Sequence, residues 1–192
     1  MNGQSNRKAN RRRTPSPLNE RGLKELALAY VGRFATSRGR LRAYLARKIR
    51  ERGWDGAEEP DLAGLADRFA AQGYVDDAGY ALAQARTLSA RGYGKRRLER
   101  KLRAAGIDEE DGAAARGHSD REALSAALRF AERRRIGPFA TGPAELRERE
   151  KAIAAMIRAG HGFGLARLIV GLPPGAPVDL DELTDRASQT LI

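Results

Sequence analysis

Apolar residues recur at helical spacing near the middle of the chain. Leu98, Leu102 and Ala105 occupy positions i, i+4 and i+7, which places them along one side of a helix that starts near Lys95. Gly106 follows, where a helix end favours a left-handed residue. The surrounding residues 86–108 are densely basic, with eight Lys or Arg and a single carboxylate before Asp108. The pattern predicts a short amphipathic helix with a cationic outer face.

The same pattern occurs 53 residues earlier. Aligned without gaps, residues 33–55 match residues 86–108 at nine positions, which is too many for chance in one register. The matched residues of the first copy are Arg33, Arg38, Gly39, Leu45, Arg47, Lys48, Arg50, Gly53 and Asp55. A weaker third copy, about 54 residues further on, keeps the apolar frame at Ala152, Met156 and Gly160 but has lost most of the positive charge. We interpret this as an internal repeat.

Helical spacing also predicts the remaining elements, whereas no useful stretch alternates with a period of two, so we predict an all-α protein. Ser37 or Thr36, Asp61, and Asp76 or Asp77 are the expected helix caps. The predicted helices begin near residues 19, 37, 61, 77, 95, 123, 144 and 165. Phe69, Tyr74, Tyr80 and Trp54 are expected in the core.

A period near 53 residues predicts three tandem three-helix repeats, each too small to bury a good core without its neighbour. We place the repeats at residues 19–57, 58–112 and 120–172. A disordered basic tail is expected over residues 1–18 and a peripheral acidic tail over residues 173–192. His118 is expected in an acidic linker between the second and third repeats.

The net charge of +11 indicates an anionic partner surface. Residues 21–55 and 86–106 each carry about +7, whereas residues 56–85 and 107–125 are net negative. The duplicated charge favours a binding surface, although two solvated helix faces remain the alternative. The chain has no Cys, which excludes disulfides and Cys-based metal sites. It also lacks a long apolar run or a secretory leader, so we expect a cytoplasmic protein that does not contact a membrane.

Two features together resemble the RecX family, the bacterial regulators of the RecA recombinase. The first is the tandem three-helix organisation, and the second is the run Gly73-Tyr74-Val75-Asp76-Asp77 followed by Tyr80-Ala81 and a basic helix that ends in Gly106-Ile107. The resemblance covers roughly residues 23–172, with departures at Trp54 and at His161-Gly162. It implies an elongated, curved helical array that lies in the groove of a RecA–single-stranded-DNA filament. There the protein would oppose ATP turnover and strand exchange, as a monomer and without a cofactor.

The expected contacts to the filament are cations of the first two repeats and one aromatic residue between two glycines. Tyr93 could stack on a base or could brace its loop. The predicted contact residues are Arg40, Arg42, Arg47, Lys48, Arg91, Tyr93, Lys95, Arg96, Arg97, Arg100 and Lys101.

Other chemistry finds little support in the sequence. His118 and His161 lack paired metal spacing, and Asp76-Asp77 at a helix start is more typical of capping than of a nuclease metal site. Gly94-Lys95 fails the phosphate-loop pattern at both ends. We therefore do not expect an enzyme. The alternative function is a sequence-nonspecific DNA-binding protein that acts without RecA, in which helix–loop–basic-helix units would lie in a DNA groove. Arg and Lys without Asn or Gln partners argue against base readout and indicate phosphate contacts at best.

Overall fold

The computed structural model describes residues 16–189, with side chains described for residues 16–186. These residues form ten α-helices and a short 3-10 turn at Gly137–Phe139, which confirms the predicted all-α class. Among the described helices, not one has both the length and the apolar content of a membrane span. The helices are α1 (Glu20–Val31), α2 (Arg38–Arg52), α3 (Leu62–Ala71), α4 (Asp77–Ala90), α5 (Lys95–Ala104), α6 (Glu109–Arg121), α7 (Ala123–Arg134), α8 (Leu146–Ala159), α9 (Phe163–Gly171) and α10 (Leu180–Gln189).

Three hydrophobic cores divide these helices into consecutive units. The first core joins α1, α2 and α3, the second joins α4, α5 and α6, and the third joins α7, α8, α9 and α10. The grouping differs from the repeat boundaries expected from the sequence, because Leu65 and Phe69 of α3 pack in the core that holds Leu41 and Leu45. Only the short segment of residues 72–76 separates α3 from α4. Because the two helices are so close along the chain, the sequence does not reveal that they belong to different cores.

The internal repeat is visible in the second helix of each unit, which is α2, α5 or α8. Gly53, Gly106 and Gly160 directly follow or closely follow α2, α5 and α8, and their φ angles are 85°, 68° and 103°. A residue with a side chain rarely adopts a positive φ, so glycine is favoured at these helix ends. Leu45 and Leu98, which are equivalent in the repeat, are both fully buried.

The second unit contains a helix that the sequence analysis assigned to a linker. Residues Glu109–Arg121 form α6, which carries His118 and packs against α4. The buried residues of α6 are Gly112, Ala115 and Ser119, so its inner side consists of small residues. Small residues let two helices approach closely, but they produce no apolar periodicity in the sequence.

Two residues that were assigned to the tails belong to the cores. Leu18, assigned to the basic tail, is buried in the first core, and its N–H donates to the Gly53 carbonyl over 2.9 Å. Leu183 of α10, assigned to the peripheral acidic tail, is buried in the third core. Residues 1–15, for which disorder was predicted, lie outside the described residues, as do the last three residues of the predicted acidic tail.

The aromatic residues expected in the core do not all lie there. Phe69 and Tyr80 are buried and Trp54 is half-buried, with its indole Nε1 donating to the Glu58 carbonyl over 2.7 Å. Tyr74, by contrast, is 53% exposed and contacts Phe69 with one side of its ring. The expectation for Tyr74 is therefore wrong, because the turn after α3 directs this ring to the surface.

Candidate functional site

The N-terminus of α2 meets the C-terminus of α5. The Ser37 hydroxyl accepts from the Arg40 N–H over 3.1 Å, as predicted for a cap, and donates to the Ala105 carbonyl over 2.6 Å. The backbones are so close that a Cβ on Gly39 would lie 2.3 Å from the Ala105 oxygen. Such a junction pairs the donors at one helix start with the acceptors at another helix end.

A second junction of the same kind joins α5 to α8. The Gly94 N–H donates to the Ala159 carbonyl and the Arg96 N–H donates to the Gly160 carbonyl, each over 3.1 Å. A Cβ on Gly94 would lie 2.4 Å from the carbonyl carbon of Gly160. The second helices of the three units therefore meet end to end, in the order α8, α5, α2. At about 1.5 Å per residue, α2 and α5 together supply roughly 37 Å of helix.

The predicted contact residues of α5 all lie at the surface. Lys95, Arg96, Arg97, Arg100 and Lys101 are exposed, whereas Leu98 and Leu102 of the same helix are buried. The Lys95 ammonium is 2.8 Å from the carboxylate of Asp120.

Among residues 16–186, the α5 cations other than Lys95 have no acidic partner. Arg96, Arg100 and Lys101 make no ion pair there, and the Arg97 guanidinium lies 3.8 Å from the centroid of the Tyr93 ring. An ammonium or guanidinium without an internal partner keeps its charge available to an external anion.

The predicted contact residues of α2 are partly neutralised. Arg40, Arg42 and Arg47 are exposed and Lys48 is half-buried. Lys48 Nζ is 2.6 Å from the Glu51 carboxylate and Arg47 Nε is 3.6 Å from it. The hydrogen bond from Lys48 is the main cause of a lowered pKa of the Glu51 carboxyl. Within residues 16–186, Arg40 and Arg42 make no ion pair.

The remaining two predicted contacts lie where the second and third units meet. The Arg91 carbonyl accepts a hydrogen bond from the Arg133 guanidinium, while the Arg91 side chain is exposed. Tyr93 is half-buried and packs against both the second and the third core. With Arg97 over its ring, this position favours the bracing role over base stacking.

Sequence reasoning missed Arg38, which joins the first two units. Its guanidinium lies 2.6 Å from Asp77, 2.7 Å from Asp111 and 3.7 Å from Asp67. The hydrogen bond with Asp77 is the largest cause of a raised Arg38 pKa. The carboxylates come from three other helices and lie 29 or more positions away in the sequence, so no local pattern could have revealed the cluster.

A buried histidine lies at the junction of the second and third units. His161 is 2% exposed, its Nε2 is 3.1 Å from the Gly92 carbonyl, and its ring contacts Phe130. Burial lowers the pKa of His161, because the charged ring would lose its hydration, and the Gly92 carbonyl opposes this only partly.

The acidic pair Asp76-Asp77 has structural partners. Asp76 Oδ1 accepts from the Gly79 N–H over 2.8 Å, which confirms the predicted cap, and Asp77 binds Arg38. Within the part of the chain that the structure describes, no group of three or more His, Asp or Glu side chains could hold a metal ion.

Comparison with known proteins connects these units to a family. The family model described as the second three-helix domain of RecX matches residues 76–115, which spans α4, α5 and half of α6. A protein of Myxococcus xanthus named Regulatory protein RecX is 30% identical over 168 residues, covering 83% of this chain and 90% of that protein.

Two further relatives carry the same name. The protein of Mycobacteroides abscessus is 31% identical over 160 residues, covering 82% of this chain and 75% of the relative. The protein of Mycobacterium sp. (strain KMS) is 43% identical over 98 residues, about half of each chain. The chain belongs to the RecX family of regulatory proteins.

Proposed function

We propose that this protein regulates RecA, mainly as an inhibitor, by binding in the groove of the RecA–single-stranded-DNA filament through its basic helices. In this position it suppresses ATP hydrolysis and strand exchange. The observation that carries the proposal is the end-to-end contact of α5 with α2, which sets the exposed cations of two units on successive helices.

The proposed partner suits this arrangement physically. A filament groove presents DNA phosphates and acidic protein groups along its length, so it can contact cations on both helices. One exposed ion pair contributes only about 0–1 kcal/mol. Several that form together on a shared scaffold add their contributions, because the first contact raises the effective concentration for the next. In this proposal the protein acts as a monomer in the cytoplasm, without a cofactor and without catalysing a reaction.

A charge-reversal variant tests the proposal. Arg96, Arg97 and Arg100 are replaced together by Glu, and RecA ATP hydrolysis on single-stranded DNA is measured with substoichiometric protein. We expect inhibition to be lost because the variant repels the phosphates, while circular dichroism shows the same helix content as the wild type. Inhibition that persists in the folded variant would show that α5 is not the binding surface.

A matched control changes the charge by the same amount elsewhere. Arg147, Arg149 and Lys151 are exposed residues of α8, and their joint replacement by Glu should leave inhibition largely intact. Equal losses in the two triple variants would indicate a response to net charge alone. A salt titration distinguishes the alternative function: a protein that acts on DNA alone should bind naked DNA as tightly as the filament, whereas a filament regulator should prefer the assembled filament.

A further inference from the structure

A cleft of about 580 Å³ opens between α1 and α2 in the first unit. Three aromatic residues and three arginines contribute to its lining, and no acidic residue does. The aromatic residues are Tyr30, Phe34 and Tyr44, and the arginines are Arg33, Arg40 and Arg47. The sequence analysis included only Arg40 and Arg47 of these six among the candidate contacts.

Two of the aromatic rings stack on each other, and the third lies tilted beside them with an exposed face. Tyr30 and Tyr44 lie almost parallel, with ring centroids 4.1 Å apart and an angle of 12°. Phe34 extends this pair, with its centroid 5.4 Å from that of Tyr30. Phe34 is nevertheless 56% exposed, so much of its ring is available to a flat ligand.

The arginines around these rings have few acidic partners within the protein, so their charges can attract an external anion. Arg33 and Arg40 make no ion pair with any residue whose side chain the structure describes, and Arg47 lies 3.6 Å from Glu51. Arg40 and Arg47 are seven residues apart on α2, which separates them by about 10 Å along one side of the helix. They can therefore hold successive anionic groups of one extended ligand.

We propose that this cleft binds single-stranded nucleic acid, with an unpaired base stacked on Phe34 and the neighbouring phosphates held by Arg33, Arg40 and Arg47. Aromatic rings that stack on bases, together with cations along the backbone, are the means by which proteins bind single strands without sequence preference. A duplex cannot bind in this way because its base faces are already stacked. The cleft lining has no Asn, Gln, Asp or Glu, so it offers no side-chain readout of base edges.

This inference deepens the proposed function and rests on it for the presence of single-stranded DNA near α2. An acidic peptide of a partner protein would also be attracted by the arginines. The observations favour the nucleic acid because the exposed ring of Phe34, beside the stacked pair of Tyr30 and Tyr44, offers an aromatic face to a base, whereas a peptide carboxylate requires only the cations.

The experiment uses the full chain and an oligothymidylate that carries one 2-aminopurine, whose fluorescence is quenched when it stacks. The wild type should quench the probe and bind the oligonucleotide. Phe34→Ala should abolish the quenching and weaken binding by roughly 5- to 150-fold, the range for loss of one stacked base. Its salt dependence should not change. Arg40→Ala should instead lower the slope of log affinity against log salt by about 0.7, because one phosphate contact is lost.

Two controls keep the result interpretable. Tyr74→Ala removes an equally exposed ring outside the cleft and should behave as the wild type, and Phe34→Trp should retain quenching. If the wild type does not quench, or if Tyr74→Ala loses as much as Phe34→Ala, the cleft assignment is overturned. If Phe34→Ala impairs only RecA inhibition and not oligonucleotide binding, the cleft binds a protein instead, which also overturns it. Quenching by a protein that leaves RecA ATP hydrolysis unchanged would preserve the cleft and refute the proposed function.

Discussion

At the scale of single residues, Ser37 connects a helix cap to a contact between units. Its hydroxyl caps α2 and donates to Ala105 of the next unit, and the residue is fully buried. Ser37→Ala should therefore cost about 2–3 kcal/mol, since the cap is lost and a buried carbonyl is left without its donor. Urea unfolding of the full chain measures the difference.

Asp61→Ala is the matched control for the cap alone. Asp61 Oδ1 accepts from the Gly64 N–H over 2.8 Å at an exposed helix start. Its removal should cost about 1 kcal/mol. If Ser37→Ala costs no more than Asp61→Ala, the hydrogen bond to Ala105 contributes nothing to stability.

His161 makes the stability of the protein depend on pH. Because its pKa is lowered in the folded state, the unfolded chain takes up the proton first as the pH falls. The stability associated with the neutral ring is complete above the unfolded pKa near 6.5, and it decreases as the pH falls from there through the folded pKa. We expect the free energy of unfolding to fall between pH 7 and pH 5.

A comparison with His161→Gln separates this effect from that of the carboxylates. The amide can still contact the Gly92 carbonyl but does not titrate, so the variant should lose less stability than the wild type over the same pH interval. The same pH dependence in the wild type and in His161→Gln would contradict the role assigned to His161.

The helix caps could be predicted from the sequence, whereas the ion pairs of Arg38 could not, because a cap is a local contact and these ion pairs are not. A cap depends on a side chain and an N–H three positions away, as in Ser37 with Arg40 and Asp76 with Gly79, so it is encoded locally. The partners of Arg38 depend on how two units pack. The sequence therefore predicted the helix starts but not the contact that joins them.

At the scale of helices, amphipathic elements were predicted and α6 was not. The stripe of Leu98, Leu102 and Ala105 in α5 stands out because large apolar residues alternate with cations. The buried side of α6 contains no residue larger than Ser, and α4 meets it with Ala81, Ala85 and Ser89 among its buried residues. In the sequence, the buried face of α6 was marked only by the small residues Gly112, Ala115 and Ser119, which recur at helical spacing.

The junction of α5 with α8 depends on the absence of a side chain at Gly94. In Gly94→Ala the new Cβ would overlap the backbone of Gly160, which cannot rotate away as a side chain could. We expect a loss of about 1–3 kcal/mol from overpacking. Thermal unfolding would measure it, and hydrogen exchange should show faster exchange of the Arg96 N–H.

Gly162→Ala is the matched control for this junction. Gly162 also begins a helix, but a Cβ there would meet no atom within 4 Å. Its replacement should cost less than about 1 kcal/mol and leave the exchange of Arg96 unchanged. If both variants are equally stable, the close approach of α5 and α8 is not required by the fold.

At the scale of the whole molecule, the sequence predicted which cations are exposed but not how the helices that carry them are arranged. Charge and repeat spacing identified Arg96, Arg100 and Arg40 as exposed. The end-to-end contacts of α8, α5 and α2 involve backbone groups, which a sequence pattern does not reveal. The cleft in the first unit was missed because its rings come from two helices and Phe34 follows the end of α1.

The arrangement leads to a prediction about additivity. Arg42→Glu with Arg47→Glu alters α2, and Arg96→Glu with Arg100→Glu alters α5. Each pair should weaken filament binding by roughly 5- to 30-fold, from about 0.5–1 kcal/mol per cation. Because the pairs lie on different helices of one scaffold, the four-residue variant should lose the sum of the two free energies within about 0.5 kcal/mol. Titration of labelled RecA filaments gives the affinities. If α5 alone contacts the filament, the α2 pair will have no effect, and the combined variant will bind like the α5 variant.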